Sequence, residues 1–110
     1  MQDIEALGNK LQNLDAEERR EAAINLGRLG SQAVPLLLRA LTDTDWRVRK
    51  TAVEALVAIE GESVIAGLIE ALKTEDNAGA RNSAIEALVQ IGGPALEFLL
   101  PVLTTPDPDV

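Results

Sequence analysis

The stretch WRVRKTAVEALVAI (residues 46–59) returns 32 residues later as AGARNSAIEALVQI (residues 78–91), identical at half of its positions and conservative at most of the apolar ones. A chain of 110 residues that carries one segment twice is assembled from repeats. Aligning outward on the apolar positions yields three units. In the first helix of each, Ala22, Leu26 and Leu29 correspond to Ala52, Leu56 and Ile59, and then to Ala84, Leu88 and Ile91. The spacing i, i+4, i+7 lays these residues along one helical face. Arg19, Arg49 and Arg81 each stand three residues before the first alanine of the set. A break follows at GS (30–31), EGES (60–63) and GG (92–93), where glycine can supply the left-handed residue that ends a helix.

A second periodic run follows each break. Val34, Leu37, Leu38 and Leu41 match Ile65, Leu68, Ile69 and Leu72, and then Leu96, Leu99, Leu100 and Leu103. An acidic turn comes next: TDTD (42–45), KTED (73–76) and TTPDPD (104–109). Asp45 and Asp76 are expected to cap the helices after them, because a carboxylate accepts unpaired backbone N–H groups and favours the positive end of the helix dipole. The unit is helix–turn–helix with a period of 30 to 32 residues. Neither helix buries its apolar face alone, so neighbouring units must stack.

Composition agrees. The chain is 46% hydrophobic, with one Trp, one Phe and no Tyr, so its core is built from Ala, Leu, Val and Ile. Ala and Leu favour helices, and five prolines and eight glycines suffice to punctuate several short ones. The expected fold class is all-α. A net charge of −8 argues against general nucleic-acid binding, which draws its affinity from Lys and Arg. No apolar run reaches the roughly 18 residues of a membrane span, and MQDIEALGNK has neither the basic nor the apolar region of a signal peptide. A cytoplasmic location is expected. The absence of Cys and His removes disulfides, thiol catalysis and the commonest general base and metal ligand.

DWRVRKTAVEALVAIEG (45–61) and DNAGARNSAIEALVQIGG (76–93) follow the pattern Asp, two residues, Val-Arg, two residues, Ala, three residues, Leu, two residues, Ile-Gly. This pattern resembles HEAT-like repeats, in particular the short bacterial repeats also found in phycobilisome lyase proteins. AVPLLLRAL (33–41) is similar to the second helix of that family. Departures are Glu60 in place of glycine, an extra residue in TEDNAGAR with Gly79-Ala80 for the polar-Val pair, and EERR in the first unit. The resemblance implies a right-handed α-α superhelix, an α-solenoid, forming a single domain. Its divisions are a half repeat or cap at 1–14, repeats at 15–41, 42–72 and 73–103, and the start of a truncated repeat at 104–110. Both ends read as cut from a longer array.

In HEAT-like arrays the second helices line the concave face, the usual binding surface. Carried onto this sequence, the outward positions are Gln32, Pro35, Leu36 and Arg39 in unit one, and Ser63, Ala66, Gly67 and Glu70 in unit two. Unit three supplies Pro94, Glu97, Phe98 and Pro101. Leu36 and Phe98 are apolar where a solvated helix favours polar residues. They read either as anchors for a partner or as packing against the next helix. WRVRK sets the single Trp among Arg47, Arg49 and Lys50, a combination able to contact phosphates and bases. Arg49, however, stands four residues after Asp45 at ion-pair spacing, and Trp46 is expected to cover the turn between units. Pro101 predicts a kink or stop. The acid pairs Asp43/Asp45 and Glu75/Asp76 read as caps rather than catalytic or cation-binding carboxylates. No phosphate loop, dinucleotide motif or nucleophile–base pair is present.

The sequence therefore reads as a non-catalytic protein-interaction scaffold with no cofactor and no metal, binding another protein on its concave face and neither nucleic acid nor membrane. The alternative is an accessory subunit or domain of a bilin lyase-like enzyme. DNA binding, a third reading, is opposed by the acidic balance. Self-association is expected if Leu96, Leu99, Leu100 and Leu103 are left uncovered.

Overall fold

Four of the described α-helices start where a side chain satisfies N–H groups that the first turn leaves unpaired, and the two second helices that follow the breaks within a unit start without one. The computed structural model describes residues 3–95. Asp3 accepts the Ala6 N–H (2.8 Å) and opens α1 (Ile4–Lys10). Asp15 accepts the Glu17 N–H (3.0 Å) and opens α2 (Ala16–Leu29). A single 3-10 turn (Gly30–Ala33) leads into α3 (Val34–Ala40), whose Pro35 lies in the first turn where no N–H is needed. Asp45 accepts the Arg47 N–H (2.9 Å) and opens α4 (Trp46–Ile59). Gly61 leads into α5 (Glu62–Thr74), and α6 spans Ala78–Ile91.

The cap of α6 is Asn77, whose Oδ1 accepts the Ala80 N–H at 3.1 Å, and not Asp76. The extra residue of the third unit explains the shift. Asn77 precedes Arg81 by four residues, as Asp15 precedes Arg19 and Asp45 precedes Arg49. The turn is built around that arginine. Arg19 Nη1 donates to the carbonyls of Asn13 (2.8 Å) and Leu14 (3.1 Å). Arg49 Nη1 donates to Asp43 (2.8 Å) and Thr44 (3.3 Å), and Arg81 Nη1 to Glu75 (3.1 Å) and Asp76 (3.4 Å). Two residues before each cap, Asn13, Asp43 and Glu75 accept the cap's own N–H. Arg49 thus holds backbone carbonyls rather than the Asp45 carboxylate expected from spacing. Asp45 pairs with Arg47 (2.9 Å).

The helices form two rows. α2 packs on α4 and α4 on α6, while α3 packs on α5. α3 lies on α4 and α5 on α6 more extensively than either lies on the first helix of its own unit. This stacking is what the half-apolar helices require, and with the family pattern it makes the molecule an α-solenoid. Leu26, Leu37, Leu56, Leu68 and Val53 are fully buried between the rows. Each such side chain contributes about 1.5–3 kcal/mol relative to exposure. Among the described residues the secondary structure is entirely helical, and no helix is long and apolar enough to cross a membrane.

The breaks between the helices of a unit require left-handed backbone. Gly30 (φ 78°) and Gly92 (φ 74°) provide it in units one and three. Glu60 holds the same place in unit two at φ 61°, ψ 177°. A side chain there costs on the order of 1–3 kcal/mol.

The two joints between units differ. At the first, Arg19 Nε meets Asp43 Oδ2 at 2.9 Å and Nη2 meets Oδ1 at 3.2 Å. Both side chains are mostly buried, 15% and 10% exposed. A Cβ built on Gly27 would lie 2.9 Å from Ala55 Cβ, so α2 and α4 nearly touch through their backbones. At the second joint Val57 takes the place of Gly27, and Arg49 lies beside Gly79. Among the described residues no ion pair joins Arg49 to Glu75, the counterpart of Asp43.

Candidate functional site

The outward positions of the second helices form a solvent-facing ladder. On α3 and the turn before it, Gln32, Pro35 and Arg39 are exposed and Leu36 is half-buried; on α5, Ser63, Ala66 and Glu70 are exposed. Glu97, Phe98 and Pro101 lie outside the described residues, as do Leu96, Leu99, Leu100, Leu103 and the turn at 104–109. The alternation follows from the helical period. Leu37 and Leu68 point into the core, and the positions between point out.

Two glycines bring the second helices together. Gly8 of α1 receives Leu36 of α3, where an added Cβ would lie 3.3 Å from Leu36 Cδ1. Gly67 of α5 receives Leu38 of α3, whose Cδ1 fills the space a Cβ would need. Leu36 is therefore engaged with the preceding helix as well as open to solvent. Its free side lines a cleft of about 340 Å³ between α1 and α3, with Leu11, Arg39 and Asp43. Arg39 and Glu70, both exposed, have no side-chain partner among the described residues, so each is free to meet a charge of opposite sign.

The row of first helices presents a different surface. Trp46 is 62% exposed and does not cover the turn as expected. It stands between a groove lined by Arg20, Arg47 and Glu54 and another lined by Arg49, Asn82 and Glu86. The basic groups are largely matched: Arg20 pairs with Glu17 (2.7 Å) and Arg47 with Asp45 (2.9 Å). Arg47's side chain and backbone N–H hold the Asp45 carboxyl down at about 2, and Arg20 lowers the Glu17 carboxyl. A paired, mixed-charge surface is unlike the continuous positive track of a nucleic-acid site. On α6, Ile85 (48%) and Val89 (73%) are exposed, whereas Val53, which matches Ile85, is buried.

Sequence reasoning missed Gly8 and Gly27, and it placed Gly67 on the outward ladder without its contact to Leu38, because spacing along one helix does not reveal which residue of another helix it meets. It also missed a pocket of about 390 Å³ at the second joint, between the end of α4, the start of α5 and the end of α6.

The model of the HEAT repeat family matches residues 4–89. No curated protein sequence matches the chain. Among solved structures, the complex of CpcE and CpcF of phycocyanin lyase from Nostoc sp. PCC7120 is similar over 98% of this chain, at 28% identity and a TM-score of 0.57. The match covers 48% of that chain, so the present sequence spans about half its length. Two engineered proteins align over 97% and 99% of this chain and 58% of each of theirs, at 26% and 25% identity, both with a TM-score of 0.49.

Proposed function

The chain belongs to the HEAT repeat family, and on that premise we propose that it is a cytoplasmic, non-catalytic scaffold binding a protein partner along the exposed faces of α3 and α5. The observation that carries this reading is the cleft between α1 and α3. An apolar floor of Leu11 and Leu36 lies beside an unpaired Arg39, with the unpaired Glu70 on the neighbouring helix. Apolar anchors supply affinity and flanking charges supply selectivity and rate. In this reading the chain is one solenoid domain of a half repeat and three units, and Glu97 and Phe98 extend the face.

The test is affinity capture with the natural chain, the Arg39→Glu/Glu70→Arg variant and a Trp46→Ala/Lys50→Glu variant, all matched in helicity and melting. A partner held by the natural chain and the Trp46 variant but lost by the Arg39 variant supports the reading. A partner kept by the Arg39 variant overturns it, and one lost only with Trp46 and Lys50 moves the site to the first helices.

A second reading is favoured by the similarity to a phycocyanin lyase chain over nearly the whole of this sequence. Here the chain is an accessory subunit or domain of a bilin lyase-like enzyme. With no Cys or His, it would hold a tetrapyrrole or its acceptor protein rather than attack either. An unchanged bilin absorbance spectrum on mixing, alone and with the capture partner, would dismiss it.

A further inference from the structure

The pocket at the second joint lies away from the cleft between α1 and α3, and of the outward ladder only Pro94 lines it. Its volume, about 390 Å³, is within the range of roughly 300–1,000 Å³ found for ligand sites. Val57, Ile65, Ile91 and Pro94 make its floor, and Glu60 and Glu62 stand at its rim. Val57, one of its lining residues, occupies the position that Gly27 holds at the first joint.

Glu60 stands out at this rim. Units one and three place glycine at the same left-handed position, and the glutamate carboxylate gives the fold nothing in exchange for its strain. The Glu60 N–H donates to the Leu56 carbonyl (3.2 Å), but among the described residues its carboxylate makes neither a hydrogen bond nor an ion pair, and the Glu62 carboxylate likewise has none. Two unpaired carboxylates beside an apolar hollow complement a cation carried next to an apolar group. We propose that this pocket is a second docking site, taking a protein segment that inserts one aliphatic side chain and presents a lysine or arginine to Glu60 and Glu62. The proposal goes beyond the face of α3 and α5 and does not depend on it.

The probes are three capped tripeptides, Lys-Leu-Lys, Lys-Ala-Lys and Glu-Leu-Glu, titrated at millimolar concentrations while the methyl resonances of Val57, Ile65 and Ile91 are followed. Lys-Leu-Lys should shift these methyls, Lys-Ala-Lys should bind several-fold more weakly, and Glu-Leu-Glu should leave them unmoved. Glu60→Gln/Glu62→Gln, which keeps the backbone and removes both charges, should weaken Lys-Leu-Lys by roughly five-fold. Arg39→Glu/Glu70→Arg should leave it unchanged, which separates this site from the proposed partner face. Equal shifts from Glu-Leu-Glu, no shift from any peptide, or binding indifferent to the glutamine changes would overturn the proposal.

Discussion

The joint between the first and second units is held by the Gly27–Ala55 approach and the Arg19–Asp43 ion pair, and the joint between the second and third has in their place Val57 and an Arg49 without that ion pair among the described residues. Both are made by the same repeat. At the first, Gly27 lets α2 reach Ala55, and Arg19 grips Asp43 with two nitrogens. At the second, Val57 replaces the glycine, Arg49 lies beside Gly79, and a pocket remains at the edge. Two positions, one differing in size and one in charge pairing, thus distinguish the joints. Repeats that share a core pattern need not share a surface.

Breaking the first joint at its ion pair should have the largest effect. Arg19→Met removes the partner of a mostly buried carboxylate and two bonds to turn carbonyls. The loss should be about 2–3 kcal/mol in urea denaturation, less than for a fully buried pair because both groups retain some solvent. Arg49→Met should cost less, because Arg49 makes the carbonyl bonds without the pair.

Gly27→Val tests the size half of the comparison by giving the first joint the residue of the second. Overpacking against Ala55 should cost about 2 kcal/mol by the same denaturation. Ala55→Gly in that background should recover part of it, and a double-mutant cycle measures the coupling. A strictly additive cycle would mean that the close approach does not set the spacing.

Glu60→Gly relaxes the turn at the second joint and should raise stability by about 1 kcal/mol, since glycine enters this backbone region without a side-chain penalty. The matching Gly30→Glu change should lower it by a similar amount.

The smallest effect concerns acid. Arg47 holds the Asp45 carboxyl at about 2, against an ordinary value of 3.8. A depressed carboxylate stabilises above its unfolded value, and that contribution fades as pH falls through the folded one. The difference in melting temperature between the natural chain and Asp45→Ala should therefore narrow from about pH 4 to pH 2. A constant difference across that window would assign Asp45 a capping role independent of its charge.

The repeat register, the helical class and the buried leucines were legible because they repeat along the chain, and periodicity along one helix is a one-dimensional signal. The Asp76 cap was misplaced because an aspartate was sought where the inserted residue had moved the capping position to Asn77. Distance to Arg81 was the better guide. Arg49 was paired with Asp45 by spacing, but a cap's side chain faces its own helix's first N–H groups, and Arg47 lay nearer. Of the candidate face, exposure at Gln32, Pro35, Arg39, Ser63, Ala66 and Glu70 follows from register. The engagement of Leu36 with Gly8 does not, since it depends on which helix lies alongside.

That last contact has a consequence for how such an array can change. Along the second helices, one position on each helix meets the position two residues earlier in the register of the next helix. Gly8 meets Leu36 at the first meeting, and Leu38 meets Gly67 at the second. Large and small trade sides from one meeting to the next, so the units are keyed to their order. Copying residues 15–41 in tandem would set Leu38 against a second Leu36, whereas joining the α1 helix directly to the second unit would face glycine with glycine and leave a hole. Although its units look interchangeable when written as text, this chain resists shuffling, and lengthening it would require redesigning every new meeting in step.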